Sequence, residues 1–213
     1  MIAILRYMTI KSMRDRSFFG FILLPWMLPP LALIGGSISH KHIQFPLTLD
    51  PNLSAAGNAT LLTGLTGGMI FVLASVVSFW MLRPEVAARS LGSFIFAVRP
   101  VTIIASLTVF ATLLGIAGWI GGVAMVTVLT GSVAQHLALE TLRTIALTVA
   151  MSTAGALMVM ISSQPAMVIG AYAFAIAFMP MEKHPTTQLF AAAAVTLVCA
   201  VIATILLERR CAT

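Results

Sequence analysis

The chain has 213 residues, of which 60% are hydrophobic and only 8% charged, and its mean hydropathy is +1.05. That balance excludes an ordinary soluble domain and leaves room for about six helical membrane spans of roughly 20 residues each. The net charge of +6 does not point to nucleic acid, because most of the basic residues sit beside the ends of apolar runs, where they act as topology signals. The runs are apolar all round and lack the dyad alternation of a membrane β-barrel. Two cysteines, Cys199 and Cys211, make neither a disulfide framework nor a metal motif.

Residues 1–16 read as a helix lying on the membrane surface. Ile2, Leu5, Met8, Thr9 and Met13 share one helical face and Tyr7, Lys11 and Arg14 the opposite one, with Arg16 on the apolar side and Ile4 on the polar side. Such a helix rests apolar side down, its cations meeting lipid phosphates. It is not a cleavable signal, because its apolar run begins only after Arg14-Asp15-Arg16 and is too long. The first span, 18–38, carries Pro25, Pro29 and Pro30, read as a kink that serves packing. In the following loop His40-Lys41-His42 lacks an acidic or thiol companion and reads as solvated, not as a metal site. Asn58-Ala59-Thr60 matches a glycosylation sequon, a pattern that arises often by chance.

The second span covers 61–82, and residues 83–100 form the most distinctive segment of the chain. It opens with Arg83-Pro84-Glu85, continues as a short amphipathic stretch and closes with Arg99-Pro100 at the head of the next apolar run. The run 101–129 is longer than one span needs and is read as one long helix, tilted or projecting, not as two spans broken at Gly118–Gly122. Spans at 139–161, 166–181 and 187–207 complete the set. Glu140 and Arg143, three residues apart, suit a simple ion pair on one helical face or part of an outer gate. Glu182-Lys183-His184-Pro185 is a tight turn between the last two spans.

With the N-terminus inside, Arg6, Lys11, Arg14, Arg16, Arg83, Arg89, Arg99, Arg209 and Arg210 are cytoplasmic, and Lys41, Arg143 and Lys183 are outside. Nine of the twelve basic residues then lie inside, so both termini are expected in the cytoplasm. No inverted repeat or linker divides the chain, which reads as a single compact membrane domain over 1–213. Ionisable groups are nearly absent from the spans, which disfavours a proton relay or ion channel. Gly64-xxx-Gly68 and Gly118-xxx-Gly122 offer small faces for close helix approach. The 13 methionines suit core packing as well as an adaptable pathway.

The surface helix, the six spans with both ends inside and the amphipathic segment after span 2 resemble the permease subunit of an ABC transporter of the type-2 class. Glu85 matches that family's acidic position, Ser90-Leu91 looks like its Thr-Leu step, and Pro100 lies near its closing proline. Three departures stand out: Arg89 replaces the expected glycine, acidic residues are sparse, and Pro100 falls about two places late. The resemblance implies an all-α permease that hydrolyses nothing itself, pairs with a second permease and is driven by a separate ATPase subunit carrying ATP and magnesium. In keeping with this, the chain has no GxxxxGK[ST] phosphate loop. By the same resemblance Arg83, Glu85, Arg89 and Ser90 face the ATPase. Glu182 and His184, with Glu140 and Arg143, border the outer exit, and the substrate is an exported amphipathic or apolar compound. Compact loops and the lack of sorting signals favour a bacterial inner membrane.

Three other readings compete. A six-span substrate-binding subunit of an energy-coupling-factor uptake system usually lacks the charged segment between spans 2 and 3. A rhomboid-like protease would need a GxSG serine, which is absent, and His40, His42, His136 and His184 all lie in or near loops. An ATP-independent membrane immunity protein would share the same composition.

Overall fold

A computed structural model describes residues 1–14, 17–39, 54–87, 98–161 and 185–212. These form six helices and, among the described residues, no strand: α1 (Ile2–Arg14), α2 (Ser17–Ser39), α3 (Ala55–Ala87), α4 (Pro100–Thr130), α5 (Leu137–Ile161) and α6 (Pro185–Ala212). Four of them, α3 to α6, are long and apolar enough to cross a membrane, and α2 has a shorter apolar stretch at Phe19–Leu31. The chain is an all-helical, multi-pass membrane protein. The expected spans at 18–38, 61–82, 101–129, 139–161 and 187–207 each fall within one helix, while 166–181 lies outside the described residues.

Local chemistry accounts for the helix ends. The Ser54 hydroxyl accepts the Gly57 N–H at 3.1 Å, capping the first turn of α3. Pro100 opens α4 in the first turn, where a missing N–H costs nothing, and Gly131 closes it in the left-handed conformation, φ 65°, donating its N–H to the Thr127 carbonyl. Between these ends α4 is one uninterrupted helix of 31 residues, about 46 Å long at 1.5 Å per residue. It exceeds a hydrocarbon core of about 30 Å, so it tilts or projects. The pair Gly118 and Gly122 does not break it; Pro25 of α2 lies over Gly118 and Thr66 of α3 over Gly122.

The core is the mutual packing of α3, α4 and α5. Outside it, α2 leans on α4, α6 leans on α5, and α1 packs on the start of α4 and on α2. Gly155 of α5 meets the α3 backbone: a methyl group there would come within 2.5 Å of the Ser75 carbonyl oxygen. Three residues away, the Ser78 and Ser152 hydroxyls bond each other at 2.8 Å. On α4, Pro25 of α2 seats against Gly118, and Trp26 occupies the space over Gly121 while its indole N–H reaches the Ala117 carbonyl at 3.3 Å. Of the prolines of α2, Pro25 thus packs directly on α4. The other glycine pair is different, since Gly64 has nothing within reach of an added methyl and Gly68 meets only Phe71 of its own helix.

Helix directions follow from these pairs. Gly67 meets Thr144 and Ser75 meets Gly155, so α3 and α5 run the same way, while Ile70 against Gly115 and Thr66 against Gly122 make α4 antiparallel to α3. The first half of α6 (Ala192) shares a cluster with the first half of α5 (Leu147, Met151). The second half (Ala203, Leu207) shares one with Val159 and Met160. Thus α5 and α6 are parallel, and Ile161 and Pro185 lie at opposite ends of the bundle.

Candidate functional site: the basic end of the bundle

The end of α3, the start of α4, the end of α6 and the surface helix α1 meet in one cluster built on Ile4, Met8, Leu82, Ile103 and Leu207. Around it, among the described residues, stand Arg6, Lys11, Arg14, Arg83, Arg99 and Arg209. Arg143 lies at the other end, in the first turns of α5. The packing therefore gathers at one end the residues that the charge pattern assigns to the cytoplasm.

α1 is held there by a face different from the one expected. Ile4, Met8 and Ser12, spaced four apart, are its buried stripe, whereas Ile2 is 82% exposed and Met13 50% exposed. A helix wedged between a bundle and a membrane has two apolar faces, and a single two-sided division of its wheel merges them. Ile4 therefore does not belong to the polar side. Lys11 is not a lipid-facing cation either, because its ammonium donates to the Met81 carbonyl at 3.2 Å and lies 5.9 Å from the Tyr7 and Trp80 ring centres. Trp80 in turn meets Phe21 of α2, ring centres 6.4 Å apart. A cation on a carbonyl near the end of α3 is placed where the helix dipole favours it, and the aromatic rings add attraction.

Of the residues expected to face an ATPase, Arg83 is exposed in the last turns of α3 and Glu85 belongs to the same helix. Arg89 and Ser90 lie outside the described residues, as do Glu182 and His184 of the expected outer exit. Ala87 and Val98, which bound the described chain on either side of that segment, both lie at the basic end. At the opposite end Glu140 and Arg143 form the simple pair, nitrogen to oxygen 3.3 Å, with side chains only 21% and 14% exposed. Next to them the Trp119 indole donates to the Thr141 hydroxyl at 3.0 Å. His136 precedes α5 with φ 56°, exposed, its carbonyl accepting from Leu139 and Glu140. The sequon lies inside α3: Ala59 is fully buried, and the Thr60 hydroxyl donates to the Ala56 carbonyl and accepts the Gln135 N–H. No group of three metal-binding side chains occurs among the described residues.

Sequence reasoning missed the polar lining of the core. Thr144, Thr148 and Ser152 of α5 are buried at four-residue spacing and face α3 and α4. Thr148 turns its hydroxyl back to the Thr144 carbonyl at 2.6 Å. The spacing itself was the available signal, since a strict stripe of small hydroxyls in an apolar helix marks its packed face. Beside it, an apolar crevice lined by Phe21, Ile70, Ala74, Val77, Leu114 and Gly115 separates α2 from α3.

Comparison of the chain with family models, with curated proteins and with solved structures gives no match.

Proposed function

We propose that this chain is the membrane-spanning subunit of an ATP-driven exporter of the ABC type-2 class, working with a second permease and a separate ATPase on its basic side. The observation that carries the reading is the joint placement of α1, the end of α3 and the start of α4 at one basic end of the bundle. The segment between α3 and α4 thus leaves and rejoins the bundle where a soluble partner would bind, with Arg83 and Arg99 at its two ends. The positive-inside bias puts that end in the cytoplasm, where ATP is available. The reading with six spans is supported by the parallel run of α5 and α6, which leaves Ile161 and Pro185 at opposite ends of the bundle. Substrate passage would lie between two such permeases, because the described interior of this one is filled by packed Gly, Ser and Thr contacts.

The test is purification of the tagged chain from its native membrane in mild detergent, scored for an ATPase near equimolar ratio. Loss of that ATPase when Glu85 and Arg89 are charge-reversed, with the permease still folded, is the expected outcome. Recovery without any ATPase, under conditions that preserve a known ABC complex, would refute the reading.

A further inference from the structure

We propose that the outward side of α1 is a binding surface for anionic phospholipid headgroups of the leaflet at the basic end, with Arg6 and Arg14 as its cations. The inference rests on the membrane location of the bundle and is independent of any ATPase.

α1 divides into three sectors. Ile4, Met8 and Ser12 are buried against the bundle, and Leu5 and Lys11 flank them, partly buried. Ile2, Ile10 and Met13, 82%, 57% and 50% exposed, form a second, unpartnered apolar band. Arg6 falls within that band on the helical wheel, and Arg14 lies beyond it beside Tyr7; both arginines are exposed. An arginine among exposed isoleucines and a methionine suits the membrane boundary, where its stem lies along the acyl region and its guanidinium rises to the headgroups. α1 carries no acidic residue to neutralise either guanidinium.

Charge complementarity selects the occupant. Arg83, Arg99 and Arg209 are exposed at the same end, where Glu208 is the one exposed carboxylate among the described residues; the balance stays positive, so a zwitterionic surface would leave that excess unanswered. Lys11 is engaged with Met81 and the Trp80 ring, and its task is to orient α1 so that Arg6 and Arg14 face the lipid. A planar guanidinium pairs with a phosphodiester through two parallel hydrogen bonds, which an ammonium cannot copy.

The full chain, purified in detergent, is mixed with equal amounts of dioleoyl phosphatidylglycerol and dioleoyl phosphatidylcholine, and retained lipid is counted by native mass spectrometry. Phosphatidylglycerol should be retained over phosphatidylcholine by about fivefold or more, given the usual strength of a juxtamembrane basic residue. In the double variant Arg6→Gln, Arg14→Gln the ratio should fall to within about twofold of unity, while Arg143→Gln at the other end leaves it unchanged. Because both lipids carry the phosphodiester and differ in net charge, Arg6→Lys with Arg14→Lys should keep most of the preference, and an unchanged melting temperature in each variant ensures that lost folding is not being read. An equal ratio in the native chain, or a full preference in the glutamine variant, overturns the proposal.

Discussion

The ammonium of Lys11 donates to the main-chain carbonyl of Met81, 3.2 Å away, and so joins the surface helix to the last turns of a span 70 positions later in the chain. The bond sits between two aromatic rings, Tyr7 and Trp80. Removing it should loosen α1 without touching the three-helix core. Lys11→Met, which keeps the stem and loses the charge, should lower stability by about 1 kcal/mol. The loosening should also expose Trp80, read as a red shift of its emission in a variant carrying Trp26→Phe and Trp119→Phe.

The closest helix approach predicts a sharply position-dependent response to alanine. Gly155→Ala pushes a methyl group into the Ser75 backbone, which cannot yield as a side chain would. A loss of about 2–3 kcal/mol, or failure to recover folded protein, is expected in a thermal or detergent-denaturation assay. Gly64→Ala meets nothing and should be neutral or slightly stabilising in the same assay.

The Ser78–Ser152 bond ties α3 to α5 inside the apolar interior. A double-mutant cycle with Ser78→Ala and Ser152→Ala should give a coupling near 0.6 kcal/mol, the usual worth of such a bond between membrane helices. A coupling of zero would mean that Ser78, which also donates to the Ala74 carbonyl in the same structure, loses nothing when its partner goes.

Helix directions predict a labelling pattern. In a chain with Cys199→Ala and Cys211→Ser, single cysteines are placed at Arg83, Val133, Thr186 and Arg209, all exposed. An impermeant maleimide applied to one side of the membrane should label Val133→Cys and Thr186→Cys together and spare Arg83→Cys and Arg209→Cys. Labelling of Thr186→Cys with Arg83→Cys would contradict the parallel run of α5 and α6.

The four long spans α3 to α6 were legible in the sequence because each is a long apolar run, and hydropathy alone reports that. The unbroken α4 was legible too: glycines at 118 and 122 without polar neighbours offer no turn chemistry. What the sequence could not assign was which small residue meets which helix. Gly64-xxx-Gly68 and Gly118-xxx-Gly122 have the same pattern, yet only the second is filled from a neighbour, because partner identity depends on helix rotation. Gly155, a lone glycine after Ser152-Thr153-Ala154, had no motif to announce it and makes the tightest contact with backbone. The buried face of α1 was hidden for a related reason, since Ile4 and Ile2 are equally apolar and only packing separates the buried residue from the exposed one. Lys11 belonged by charge with Arg14, and its pairing with Met81 is a tertiary fact. At the end opposite the basic cluster the Glu140–Arg143 pair was visible, because three-residue spacing on a helix is local.

The peripheral position of α6 bears on how the protein is made. Its most apolar stretch is 17% buried, against 61%, 50% and 67% in α3, α4 and α5. Those three helices are consecutive in synthesis, and each completes contacts with the one before it: Ile70 with Gly115, then Gly115 with Thr148 and Gly67 with Thr144. A nascent chain that has reached Ile161 therefore already holds the contacts that the trio makes within itself. What it still lacks is the α6 side of α5, where Leu147 and Met151 wait for Ala192, and Val159 and Met160 for Ala203 and Leu207.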